Sequence, residues 1–347
     1  MDELDEAFAR FSLTAPEWGD GFTNHGPMVC EALVHLGHPA LIPACVELLA
    51  PRVPRLAEGK ELSAADRVSA RGDPSRVADW IASYRAELSS GNWREVLRSS
   101  VLELSPGLFA AAGHAFLRTA HAARALAAVD NPVRRTELSH GLGYWAAFYE
   151  TLPGEVGGEA DFEAALARLD EASAAPLLRA GELLSDAVTR LPEHAGYLEA
   201  VGRADLVTGD LSERLSRLCR AVAARYLECQ EWRIALTHAL TIPSAVRILA
   251  QVVGDETGEE LFPYAWRASA ALCAVGAGGS PIPEDTEKRR LAGNLPELRY
   301  RAACSLEEHA IKLSEACLRE TAVHDDGGLR LVAADAALCL GEGARRC

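Results

Sequence analysis

Apolar residues recur at three- and four-residue spacing along almost the whole 347-residue chain. This is the pattern of helices that bury one face. The spacing predicts helices over 2–11, 26–37, 40–50, 74–86, 92–103, 107–128, 132–150, 160–172, 175–190, 195–206, 210–227, 230–251, 257–275, 294–322 and 327–341. Breakers stand between them at Gly37-His38-Pro39, Gly72-Asp73-Pro74, Asn131-Pro132, Pro153-Gly154 and Gly327-Gly328. No run of alternating β-branched residues predicts a sheet, so the expected fold is all-α. The segments 51–73 and 276–289 read as loops, and 151–159, TLPGEVGGE, as a possible joint between two helical halves. The residues that carry candidate chemistry come from both sides of that joint. One large domain over 1–347 with a buried central site is therefore expected, and no repeat period argues for a solenoid.

Composition narrows the partners. Hydrophobic residues make up 49% and aromatics only 6%, which favours packed helices over strands. The net charge of −15, with no basic block, repels phosphate backbones and excludes nucleic acid as an expected partner. The opening MDELDEAFARF is acidic and amphipathic, without the basic-then-apolar order of a secretory signal. No stretch of about 18 apolar residues predicts a membrane span. The nine cysteines, Cys30, Cys45, Cys219, Cys229, Cys273, Cys304, Cys317, Cys339 and Cys347, form no CxxC pair. They read as free, mostly buried thiols in a reducing compartment, hence a cytoplasmic protein.

Several catalytic signatures are missing. There is no GxGxxG after a strand, no Walker A loop, no GxSxG elbow and no HExxH. Glu137 and His140 supply a single ExxH where carboxylate-bridged di-iron bundles need two. What remains is a set of dispersed histidines. His114 and His121 lie seven residues apart on one predicted helical face, with Arg118 between them. His309 and Lys312 are three apart on another. Lysine is rare here, at Lys60, Lys288 and Lys312, and only Lys312 falls inside a predicted helix. A buried amine has chemistry a guanidinium lacks: it acts as a base, forms a Schiff base, or takes up carbon dioxide as a carbamate. His238 precedes Pro243, whose missing amide frees a backbone carbonyl nearby. His25 follows Asn24, a good helix cap, and precedes Gly26-Pro27, where the glycine permits close approach by a ligand. Tyr144, Trp145 and Phe148 offer stacking surface for an aromatic ring.

The segments FTNHGPMVCEALVHLG, GHAFLRTAHA, ELSHGLGYWAAFYE, ALTHALTIPSAVR and EEHAIKLSEACLRE, in this order over about 20–320, resemble the questin oxidase-like family. That resemblance implies enzymes that oxidatively open anthraquinone-type rings of aromatic polyketides. Some members are described as NADPH-dependent Baeyer–Villiger oxygenases, others as non-heme iron dioxygenases with histidine ligands and a carboxylated lysine. The matching positions are His25, His114, His121, His238, His309 and Lys312. The expectation is a mononuclear Fe(II) oxygenase acting with dioxygen on a flat aromatic small molecule. Its metal ligands would be His25, His121, His238, His309 and carboxylated Lys312. His114 would be a further ligand or an acid/base, and Arg118 would pair with an anionic oxygen. Glu308, Thr237 and Asn24 are expected to orient the ligands. The alternatives are an NADPH-dependent or cofactor-free Baeyer–Villiger monooxygenase, and a non-enzymatic helical scaffold.

Overall fold

Helix starts follow side chains that can accept from the first free amides. Asn131 accepts from the Arg134 amide at 2.9 Å, with Pro132 as the first helical residue. Asp210 and Asp326 cap later helices in the same way, from the amides of Glu213 and Leu329. The computed structural model describes residues 2–19, 21–172, 177–178, 182–275, 279–283 and 285–340. Among them helices dominate, as expected. The strands β1 (Glu17–Trp18) and β2 (Phe22–Thr23) form a two-residue antiparallel pair, with Trp18 opposite Phe22.

The chain divides into two compact units, Met1–Thr151 with Ile248–Leu261, and Leu152–Arg247 with Phe262–Cys347. The first passage between them falls at the 151–159 joint. The other two lie inside helices, where no glycine or loop marks them. The first unit holds α1 (Glu3–Phe11), α2 (Gly26–Leu36), α3 (Ile42–Leu49), α4 (Ala64–Ala70), α5 (Val77–Ser90), α6 (Trp93–Leu104), α7 (His114–Ala128) and α8 (Pro132–Ala147). Here α8 packs on both α5 and α7, and α2 packs on α7. The contact between α7 and α8 is close enough that a Cβ on Gly141 would lie 2.8 Å from the Thr119 backbone.

The second unit holds α9 (Phe162–Ala172), α10 (Leu184–Val188), α11 (Ala195–Arg203), α12 (Leu211–Leu227), α15 (Thr286–Ala292), α16 (Leu295–Cys304), α17 (Glu308–Val323) and α18 (Gly327–Asp335). It also holds most of α13 (Arg233–Val253) and α14 (Asp255–Val275). Within it, α17 packs on α18 and α9 on α11.

Five expectations are corrected. The helix expected over 107–128 starts only at His114, because Ala111, Ala112 and Gly113 all take positive φ. The helix expected over 294–322 is two, broken where Leu306 turns left-handed (φ 51) and Glu307 caps α17 through the Ala310 amide at 2.6 Å. The expected loop 51–73 contains α4, and the expected loop 276–289 contains the start of α15. Of the expected 175–190 helix only Leu184–Val188 is helical among the described residues; 175–176 and 179–181 lie outside them, as do 276–278, residue 284, position 341 and Cys347. The segment Gln230–Val253 is also long and apolar enough to cross a membrane, at a mean hydropathy of 1.3, contrary to expectation. It is 83% buried inside the protein, as in a core helix.

Candidate metal centre

In the first unit, three residues in the left-handed region build the start of α7. Ala111 and Ala112 hold φ of 51° and 55°, a conformation that costs an L-residue roughly 1–2 kcal/mol. The turn makes His114 the first residue of the helix and brings its Nδ1 to 2.6 Å from the Ala111 carbonyl. A carbonyl only accepts, so Nδ1 carries the proton and Nε2 presents a lone pair. His25 opens α2 at the capping position, but its side chain makes no capping bond. Its ring meets that of His114 edge-on, with centroids 4.8 Å apart. The ligand nitrogens of His25 and His114 lie within 4.8 Å of one another. Two nitrogens on one ion are at most about 4.2 Å apart at a metal–nitrogen distance of about 2.1 Å. Both rings are buried.

The surroundings of His25 differ from expectation. The capping position of α2 is His25, not Asn24, although the Asn24 side chain accepts from the first helical amide, that of Gly26, at 3.2 Å; it also donates to the Thr14 hydroxyl at 2.9 Å and the Ala15 carbonyl at 3.1 Å. Gly26 is approached by the Phe11 ring, 2.1 Å from where its Cβ would be.

His121 has a different partner from His114. Its Nδ1 lies 2.6 Å from Glu31, a carboxylate that also receives Arg124 at 2.7 Å and His35 at 3.0 Å. Burial pushes Glu31 up, but the Arg124 charge and the hydrogen bonds of His121 and His35 hold it well below the usual carboxylate range. Glu31 is thus a buried anion joining α2 to α7.

Arg118 points elsewhere again. Its Nε and Nη2 donate to the two oxygens of Glu137 at 2.6 and 2.9 Å, and both side chains are fully buried. This bidentate pair commits Nε and Nη2 to Glu137, while Nη1 is buried with no hydrogen-bond partner among the described residues. His140 stands 3.4 Å from Arg85, and burial with the charges of Arg118 and Arg85 holds it well below the usual histidine range. The expected stacking surface is likewise committed to packing. Tyr144 donates to Glu17 at 2.7 Å and packs on Phe148, while Trp145 donates to the Gly107 carbonyl and packs on Phe116.

In the second unit, α13 continues through Pro243. The Ala239 carbonyl that the proline leaves without its amide accepts instead from the Ser269 hydroxyl at 2.8 Å. One turn earlier, His238 places Nδ1 2.8 Å from the Ile234 carbonyl. His309, the second residue of α17, places Nδ1 3.0 Å from Glu307, the residue that caps the same helix. Burial raises Glu307, yet its bonds with His309 hold it below the usual carboxylate value. The two rings meet edge-on with centroids 5.3 Å apart, and their ligand nitrogens lie within 4.8 Å. The orienting groups are thus Ile234 and Glu307; Thr237 bonds the Arg233 carbonyl instead.

Lys312 lies one turn beyond His309 on α17 and is buried. Its Nζ has no hydrogen-bond partner among the described residues. Burial lowers it to about 8, against the charges of Glu308 and Glu307, which raise it. An amine at that value is partly neutral near pH 7 and nucleophilic. Lys312 is not the only helical lysine: Lys288 sits buried in α15 and pairs with Asp335 at 2.9 Å. The described cysteines are all free thiols, and burial pushes Cys30, Cys219 and Cys317 well above the ordinary thiol value.

The structure therefore brings His25 to His114 and His238 to His309, sets Lys312 a turn from His309, and gives His121 and Arg118 to carboxylates. Sequence reasoning missed Glu31 and Glu307 as orienting groups, although Glu307 stands where a helix cap is due. No family model matches the chain, and no curated protein matches it either.

Proposed function

We propose that this protein is an oxygenase whose single Fe(II) is held by His25, His114, His238 and His309, with Lys312 as a carbamate ligand. Its substrate would be a flat, anthraquinone-like aromatic polyketide, and it would work in the cytoplasm. The observation that carries the reading is shared by three of the four imidazoles. His114, His238 and His309 each place Nδ1 against a carbonyl or carboxylate, an arrangement in which the neutral ring keeps its proton on Nδ1 and offers the Nε2 lone pair to a metal. Such outer-sphere acceptors are the usual companions of metal-bound histidines. Imidazoles with one carboxylate-like oxygen suit iron and leave room for a further ligand.

Iron in such a site supplies the binding and activation of dioxygen. The protein's own groups do the rest. Lys312, buried and partly neutral, can add its amine to carbon dioxide with loss of one proton, giving an anionic oxygen ligand. Glu307 holds the His309 ring in one tautomer, and Ile234 does the same for His238. His121, held by Glu31, keeps its proton on Nδ1 and leaves Nε2 able to accept one.

The test is elemental analysis of protein purified without a histidine tag. About one iron per chain is expected, lost in His309→Ala and in His238→Ala while circular dichroism stays helical. A wild-type protein that takes up no iron on ferrous reconstitution would sink the reading. Turnover that survives exhaustive chelation and consumes NADPH would make it a Baeyer–Villiger-type monooxygenase instead.

A further inference from the structure

A second polar centre lies in the second unit and uses none of the histidines nor Lys312. Asp335 ends α18 and is wholly buried. One of its oxygens receives Arg233 Nε at 2.7 Å and the Tyr226 hydroxyl at 3.0 Å. The other receives Lys288 Nζ at 2.9 Å and Arg233 Nη2 at 3.1 Å. Burial raises Asp335, but the bonds of Arg233 and Lys288 hold it below the usual carboxylate value, so it is ionised. Among the described residues two cations thus face one carboxylate, and the cluster holds one positive charge in excess. Burial and the Asp335 charge push the Cys339 thiol up, so it adds no compensating anion.

This cluster forms the polar end of a cavity of about 210 Å³. Lys288 and Asp335 line it together with Leu227, Ile282, Pro283 and Leu331. Lys288 Nζ gives one proton to the Pro283 carbonyl at 2.8 Å and one to Asp335. An ammonium has three, so among the described residues one remains for a ligand. Directly after Asp335 the chain makes a π-helical turn over Ala336–Leu340. Such turns are rare and concentrate at functional sites.

We propose that this cavity is a binding site for a small apolar anion, a carboxylate on a one-ring or short aliphatic body. The anionic head sits at Lys288 and offsets the surplus charge, and the body lies against Leu227, Ile282 and Leu331. A cation of the same shape meets the positive end and is rejected. The lining holds none of the four histidines nor Lys312, so the site is distinct from that of the proposed oxygenase substrate.

The experiment is calorimetric titration of the full-length protein with benzoate and, in parallel, benzylamine. Benzoate should bind with one-to-one stoichiometry and benzylamine should not. Lys288→Met should weaken benzoate at least tenfold. Leu331→Trp, which fills the cavity and leaves the ion cluster intact, should abolish binding in a protein that is still helical. If Lys288→Met does not fold, the Leu331→Trp variant decides. Equal binding of benzylamine, absence of saturable benzoate binding, or benzoate binding unchanged in Leu331→Trp each overturns the proposal.

Discussion

His309 places its Nδ1 3.0 Å from the carboxylate of Glu307, and the same carboxylate caps α17 through the Ala310 amide at 2.6 Å. One side chain thus starts the helix and fixes the tautomer of an imidazole on its first turn. Glu307→Gln should separate the two effects. The cap weakens by about 1 kcal/mol, read as a lower midpoint in urea. The loss of the anionic acceptor should lower metal affinity by roughly 10- to 100-fold, read by competition with a chelating dye. A variant with unchanged metal affinity would show that Glu307 serves the helix alone.

His114 and His121 share α7 but have different partners, which predicts different phenotypes. His114→Ala should reduce bound iron to background. His121→Ala should keep iron while losing thermal stability, because Glu31 and Arg124 lose a member of their buried network. The reverse outcome in metal analysis would assign the ligand to His121.

Glu31 makes acid sensitivity predictable. Its carboxyl is held well below its ordinary value of 4.5, so its contribution is fully present above that value and is lost as pH falls through the lower folded value. Wild type and Glu31→Gln should differ most in urea stability at neutral pH and converge in acid. A constant difference across that range would show that the charge of Glu31 is not what stabilises.

Lys312 contributes a cost where Glu31 contributes a gain, although both make the protein less stable as pH falls. Burial lowers its amine from 10.5 to about 8 in the metal-free protein. The cost to folding is absent above 10.5, grows as pH falls, and is complete below about 8. That cost is roughly 3 kcal/mol. Metal-free Lys312→Met should therefore be more stable than wild type at pH 7, with the gain shrinking towards pH 10.5. A gain independent of pH would point to packing instead.

Arg118 and Glu137 test the reassignment of a residue expected to meet substrate. Removing one partner of a buried ion pair leaves an uncompensated charge and costs about 3–5 kcal/mol. Arg118→Met should show that loss, and Arg118→Met with Glu137→Leu should regain most of it. If the double variant is no more stable than the single one, the pair is not the main role of Arg118.

The all-helical fold was written in the spacing of apolar residues, since a helix face buries the same positions whatever it packs against. The caps at Asn131, Asp210 and Asp326 were equally local. So was the chemistry of His25, His114, His238, His309 and Lys312, because residue type alone says what an imidazole or an amine can do. Partners were another matter. Whether His114 or His121 joins His25 depends on Ala111 and Ala112 entering the left-handed region, which no alanine announces. That Arg118 meets Glu137, that Glu31 gathers His35, His121 and Arg124, and that Lys288 is buried on Asp335 are facts of packing between distant segments. Period and propensity act within a few residues of the chain, and a side chain's hydrogen-bond partner is chosen by whatever the folded chain brings within 3 Å.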